Sequence, residues 1–284
     1  LDRQDTAHTY VLSSKIAIYN LGMKFNYLVL TVFLALMPFF VYSTNGNQNN
    51  QNNTKPYWQD VQTVAVNKEY PRTSFMTFDS RHDALSQKFE GSKFYRSLNG
   101  VWKFYFVEGY NDLPANITDP AVSTANWNDI TVPGNWEMQG FGVPIYTNHG
   151  YEFKPRDPQP PALPEMNPVG VYRRDIDIPS EWMNRDIFLH VGGAKSGMYV
   201  YINGKEVGYS EDSKNPAEFL INDYVKPGEN TLVLKIFRWS TGSYLECQDF
   251  WRISGIERDV YLWAQPKIRV RDFAVTSNLD DTYK

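Results

Sequence analysis

From about Pro71 onward, apolar side chains recur at every second position more often than at every third or fourth. That period predicts strands rather than helices. In Val171 to Ile178, Tyr172, Arg174, Ile176 and Ile178 share one face, and Arg173, Asp175 and Asp177 take the other. Ile187, Leu189 and Val191 alternate in the next run, and Met198, Val200 and Ile202 alternate with Tyr199 and Tyr201. Asn203-Gly204 then predicts a hairpin into Lys205 to Tyr209, because a type I′ turn needs positive φ at both central positions. Pro227-Gly228-Glu229-Asn230 predicts a turn into Thr231 to Phe237, and Val101 to Phe106, Ile130 to Val132 and Arg258 to Trp263 read as further strands. Short strands punctuated by Gly and Pro predict an all-β sandwich or barrel. Tyr151 to Pro168 is dense in proline and reads as a rigid extended loop. No repeat of 20–50 residues is visible.

The front of the chain follows other rules. Tyr27 to Tyr42 is an uncharged, mostly apolar run preceded by Met23-Lys24 and followed by Ser43. A basic start, a short apolar core and a small exit residue describe a secretory signal peptide over residues 23–43, starting at Met23. An uncleaved anchor is the next reading and a buried core helix the last, since a span wants ~20 apolar residues and Pro38 interrupts this one. Residues 1–22 read as an upstream extension with no assigned function. Asn45 to Thr54 holds six Asn and two Gln in ten residues, so residues 44–70 read as a polar tether and lead-in. An export signal and a tether predict that the folded part is periplasmic or secreted.

Composition narrows the chemistry. The 28 Lys and Arg against 32 Asp and Glu give a net charge of −4, which argues against a nucleic-acid partner. Aromatics make up 15% of the chain, well above what disorder tolerates. The single cysteine, Cys247, excludes an intrachain disulfide and a cysteine-based zinc site. His8, His82, His149 and His190 lack metal-ligand spacing. No nucleophile elbow and no phosphate loop occur. Cys247 has no basic neighbour in sequence and reads as a packed free thiol rather than a nucleophile. Carboxylates remain: Glu246 and Asp249 sit among Trp239, Tyr244, Phe250 and Trp251. A polar cluster among rings suits a sugar, whose apolar face stacks while its hydroxyls meet carboxylates and amides. Composition alone favours the plainer reading, an acidic loop over an aromatic core.

Five segments change that balance. Arg96-Ser97-Leu98-Asn99-Gly100-Val101-Trp102-Lys103-Phe104 resembles the opening strand of glycoside hydrolase family 2 proteins. Val132-Pro133-Gly134-Asn135-Trp136-Glu137-Met138-Gln139-Gly140, with Pro144-Ile145-Tyr146-Thr147-Asn148 after it, resembles the next block. Asn167 to Arg173 (NPVGVYR) and Val200 to Tyr209 (VYINGKEVGY) follow in the family's order. The longest match runs from Arg238 to Val260 and contains Ser243-Tyr244-Leu245-Glu246-Cys247-Gln248-Asp249 and Gly255-Ile256-Glu257-Arg258-Asp259-Val260. The Gly-Ile-x-Arg-Asp-Val block is shared across the family. Pro-Ile-Tyr-Thr-Asn and Ser-Tyr-Leu-Glu-x-Gln-Asp resemble its large β-galactosidases in particular.

The resemblance implies a jelly-roll, galactose-binding-like β-sandwich over residues 71–266, with residues 267–284 opening an immunoglobulin-like domain ahead of a catalytic barrel. It implies that Asn148 hydrogen-bonds galactose hydroxyls, and that Asp249 contacts the sugar and helps hold a sodium ion. A carboxylate suits both tasks, as a charge-assisted acceptor and as a hard oxygen ligand. Magnesium is implied only for the barrel. Cys247 stands where some relatives carry an acid. Thr241 stands where a carboxylate would help hold a further divalent ion near Glu211, so no such ion is expected.

Retaining hydrolysis needs two carboxylic acids about 5–5.5 Å apart. In this family both are barrel glutamates, one typically in an Asn-Glu pair, and this sequence has no Asn-Glu dipeptide. No catalytic residue is therefore expected in this chain, which reads as the N-terminal part of a β-galactosidase, inactive without its barrel. The expected partners are a galactoside and the downstream barrel, with a homo-oligomer of the full enzyme left open. The alternatives are a free-standing galactose-binding module, or a family 2 enzyme of β-glucuronidase or β-mannosidase specificity. Asp249 argues against glucuronides, because it would face a second carboxylate.

Overall fold

The computed structural model describes residues 55–86, 88–153 and 157–283. The expected upstream extension and signal peptide and the Asn/Gln-rich run Asn45 to Thr54 fall outside the described residues. Sixteen strands form in chain order: β1 (Ala65–Val66), β2 (Tyr95–Ser97), β3 (Gly100–Val107), β4 (Asn128–Val132), β5 (Gly134–Asn135), β6 (Ile145–Thr147), β7 (Val169–Ile178) and β8 (Asp186–Val191), then β9 (Ala194–Lys195), β10 (Gly197–Ile202), β11 (Lys205–Ser210), β12 (Ala217–Leu220), β13 (Gly228–Phe237), β14 (Phe250–Arg252), β15 (Gly255–Ile256) and β16 (Val260–Gln265). Helices are confined to short pieces, and none among the described residues is long and apolar enough to cross a membrane.

Two sheets carry the architecture. One has seven strands in the order β1-β11-β10-β13-β7-β3-β4, and the other four in the order β12-β8-β16-β2. All their ladders are antiparallel. The alternation explains how they pack. Tyr172, Ile176, Ile178, Met198, Val200, Ile202, Leu232 and Leu234 from the larger sheet join Ile187, Leu189, Val191, Phe219, Val260 and Leu262 from the smaller in one buried cluster. This is the interior of a β-sandwich, with the two inner faces interdigitating. The fold is the all-β sandwich that the period-2 pattern predicts.

The predicted hairpin joins β10 to β11, with Ile202 opposite Lys205 and both turn residues at positive φ, 52° at Asn203 and 78° at Gly204. Asn203 also donates from its amide to the Tyr224 carbonyl and to Asn230 Oδ1, so the turn is tied to the start of β13. No strand forms in the described part of the proline-dense segment 151–168.

The two ends of the folded body show features beyond the strand pattern. The folded body takes in residues ahead of 71: β1 pairs with β11, and Trp58 is buried against the outer face of the seven-stranded sheet, stacked on Phe237 at 4.9 Å. Tyr57 stacks on Tyr199 beside it. Two aromatic anchors outweigh the polarity around them, because burying one large side chain stabilises by ~2 kcal/mol or more. At the other end, residues 267–283 form no strand. They run beside residues 69–75, where the Thr73 amide donates to Asp272 and Arg271 donates to the Tyr70 carbonyl. An apolar alternation becomes a strand only when a partner strand completes its ladder.

Candidate functional site

Two smaller sheets cap one end of the sandwich. One is β5-β15-β9, and the other is a ribbon of β6 and β14. In the ribbon Ile145 lies opposite Arg252, Tyr146 opposite Trp251, and Thr147 opposite Phe250. Asn148 follows β6 and Asp249 precedes β14, both in bends just beyond the last paired positions and so at the same end of the ribbon. Tyr146 and Trp251, opposite each other, share one face of it. The pairing brings Asp249 to Tyr146 across 103 positions of chain.

Tyr146 Oη donates to Asp249 Oδ1 at 2.8 Å, and this bond together with the carboxylate's charge raises the tyrosine pKa above its ordinary value. Asp249 Oδ2 takes no hydrogen bond among the described residues. His149 Nδ1 lies 2.7 Å from Asn148 Oδ1, which leaves the Asn148 amide nitrogen as an outward donor. The Tyr146 and Trp251 rings are 5.6 Å apart and both more than half exposed. A carboxylate acceptor and two open ring surfaces therefore lie together, with the Asn148 amide donor at the same end of the ribbon.

Glu246 points elsewhere. Its oxygens accept from the Ser213 amide at 2.8 Å and the Ser213 hydroxyl at 2.5 Å, and burial raises its pKa. The predicted aromatic set also divides. Trp239 and Tyr244 pack on Phe153, whereas Trp251 joins Tyr146 on the ribbon. Glu211 is buried, accepting from Tyr209 Oη and Thr241 Oγ1 at 2.8 Å each, and burial raises its pKa. No three His, Cys, Asp or Glu side chains among the described residues form a group able to hold a metal ion.

Beneath the ribbon, charged side chains are buried. Arg238 donates to the carbonyls of Val143 and Arg252, pinning both strands, and sits 3.6 Å from Glu137 Oε1. Glu137 in turn accepts the Ser254 amide at 2.7 Å, and burial pushes its pKa up. Glu152 and Arg252 form a second buried pair, 3.5 Å apart. Cys247 donates its thiol to Glu152 at 3.6 Å, and burial with that carboxylate nearby raises the thiol pKa to about 11. Tyr146 and Glu152 escaped the sequence reading: Tyr146 sits inside the Pro-Ile-Tyr-Thr-Asn block, and nothing in the pattern around Glu152 marks it. The larger hollows, about 390 and 430 Å³, meet at His190 on the outer face of the four-stranded sheet and share no residue with the ribbon.

An antiparallel sandwich that presents an amide, a carboxylate and exposed rings at one end has the surface chemistry of a carbohydrate-binding domain. Residues 95–266 match the family described as "Glycosyl hydrolases family 2, sugar binding domain", and the chain belongs to that family. A β-galactosidase of Priestia megaterium is 40% identical over 235 residues, covering 82% of this chain and 23% of that relative. A β-galactosidase of Vibrio cholerae is 39% identical over 226 residues, covering 80% and 22%. The chain thus spans under a quarter of the length of these relatives. Among solved structures, a Bacteroides uniformis β-glucuronidase is 24% identical, with a TM-score of 0.46 over 61% of this chain and 18% of its own.

Proposed function

We propose that this chain is the N-terminal sugar-binding part of an exported β-galactosidase that hydrolyses terminal β-D-galactosides. One observation supports the reading: Asn148 and Asp249 lie at the same end of the β6–β14 ribbon in a chain about 40% identical to β-galactosidases over most of its length. Asn148 donates to a galactose hydroxyl and Asp249 accepts from another. Positional discrimination follows, because a hydroxyl of the wrong configuration leaves one partner unpaired.

The acid/base and the nucleophile belong to a downstream barrel, which also holds any magnesium. Asp249 Oδ2, a hard anionic oxygen without a hydrogen-bond partner among the described residues, suits one position in the shell of a sodium ion. Among the described residues no group of three His, Cys, Asp or Glu forms there, and on this reading the barrel and the sugar supply the other ligands. Bound sodium would offset the carboxylate's charge beside the sugar, while Asp249 orients the hydroxyl. Export rests on the apolar run that ends near Tyr42.

The test is a parallel assay of the full-length protein on aryl β-galactoside, β-glucuronide and β-mannoside, with and without sodium. Preference for the galactoside, strengthened by sodium, is expected. Turnover of the glucuronide or mannoside in its place would overturn the assignment.

A further inference from the structure

Glu152 is a buried side chain that touches Trp239, Cys247 and Arg252, on segments that lead to Asp249. Its side chain is 3% exposed. Oε1 accepts the Trp239 indole N–H at 2.9 Å, Oε2 accepts the Cys247 thiol at 3.6 Å, and Oε2 lies 3.5 Å from Arg252 Nε. Trp239 follows β13, Cys247 ends the one-turn helix Ser243–Glu246, and Arg252 ends β14. Asp249 therefore sits between two residues that Glu152 holds, and Asn148 lies four residues upstream of Glu152 itself. Four residues of chain reach at most ~14 Å and two reach ~7 Å, so the clamp limits where both contacts can go.

Only a carboxylate fills this role. Arg252 is 1% exposed, and its Nε, Nη1 and Nη2 have no hydrogen-bond partner among the described residues, so the ion pair with Glu152 is electrostatic. Its guanidinium stands 4.9 Å from the Phe250 ring centre, with Lys195 and Lys214 approaching the same ring at 5.1 and 5.4 Å. Of the nearby acids, Glu246 is taken by Ser213 and Glu257 by Lys214. Glu152 is left as the charge that balances Arg252.

We infer that Glu152 is a positioning residue: a buried carboxylate clamp that fixes the Asn148 and Asp249 loops relative to each other. For its effect on sugar the inference rests on the proposed function; for its effect on the loops it does not. The geometry also supplies a rescue. Because Cys247 Sγ lies next to Glu152 Oε2, Cys247→Asp would return a carboxylate to the neighbourhood of Arg252 from the other loop.

The experiment compares wild type, Glu152→Gln and the double variant Glu152→Gln/Cys247→Asp. Hydrogen exchange on the 284-residue chain should rise about tenfold or more in residues 145–153 and 247–252 of the single variant. Protection in β7 and β13 should hold, and the double variant should return both segments toward wild type. In the full-length enzyme the single variant should raise KM for an aryl β-galactoside about tenfold with kcat little changed, since uniform binding is what is lost. Wild-type exchange in both segments of Glu152→Gln overturns the clamp. If Glu152→Gln loosens the whole sandwich, the double variant decides: fold and KM recovering together support the clamp, and fold recovering without KM overturns it. A wild-type protein inactive on galactosides refutes the galactosidase reading instead, and the exchange data still decide the clamp.

Discussion

Replacing Asp249 by Asn probes the site with the least disturbance to the fold. The side chain is exposed and its hydrogen bond from Tyr146 Oη survives, because an amide Oδ1 accepts as a carboxylate does. What changes is the outward atom: Oδ2 becomes an NH2 group, so an acceptor is replaced by a donor and the charge is lost. A hydrogen bond to a charged acceptor contributes about 1.5–3 kcal/mol, or roughly 10- to 150-fold in affinity. The full-length Asp249→Asn protein should therefore show KM for an aryl β-galactoside raised within that range, and its sodium dependence should flatten. A second readout needs no sugar. The hydrogen bond and charge of Asp249 hold the Tyr146 hydroxyl above its ordinary ionisation point of 10.0, so in Asp249→Asn its titration, followed by NMR of ring-labelled tyrosine, should move down toward that point. If the Tyr146 titration moves while KM and sodium dependence stay at wild type, the geometry stands and the sugar role of Asp249 is refuted. If neither moves, the ribbon register itself is wrong.

Two further outcomes follow from the buried charges. Glu218 accepts from Arg72 at 2.8 and 2.9 Å and from His190 at 2.9 Å; burial pushes its pKa up, but these bonds outweigh it and hold the carboxyl below 4.5. Glu218→Gln should cost about 3–5 kcal/mol by stranding Arg72, a fall in Tm of roughly 6–20 °C for a body this size. A lowered carboxyl pKa contributes stability above 4.5 that is lost as pH falls through the folded value, so the gap between wild type and variant should narrow below pH 4.5. Melts that coincide at pH 7 would contradict the reasoning. Cys247, with its pKa raised from 9.0 to about 11, should alkylate at pH 8 about two orders of magnitude more slowly in the folded chain than in urea. Equal rates would mean the thiol is free of Glu152.

The sandwich was legible in the sequence because its strands bury one face. The alternations around Ile176, Leu189 and Val200 state which side is inside, and the Asn203-Gly204 turn states a register. The ends were not legible in the same way. Trp58 lies just past a polar run, and only the outer face of a distant sheet shows why it is buried. Ile268 to Thr276 alternates like a strand but has no partner strand among the described residues. At the site, Asn148 and Asp249 could be named from the blocks that resemble family 2, whereas their placement at one end of a ribbon depends on the pairing of β6 with β14. Tyr146 and Glu152 act through contacts formed across long stretches of chain, 103 residues for Tyr146 to Asp249 and 95 for Glu152 to Cys247. No local pattern carries such a contact.

The central claim is that Asn148 and Asp249, both at the same end of one ribbon, hold the sugar. The most direct measurement is a crystal structure of the full-length protein with galactose. The account predicts sugar hydroxyls within about 3 Å of the Asn148 amide and of an Asp249 carboxylate oxygen, with Tyr146 still donating to Asp249. Galactose bound elsewhere, with the ribbon end facing solvent, would contradict it.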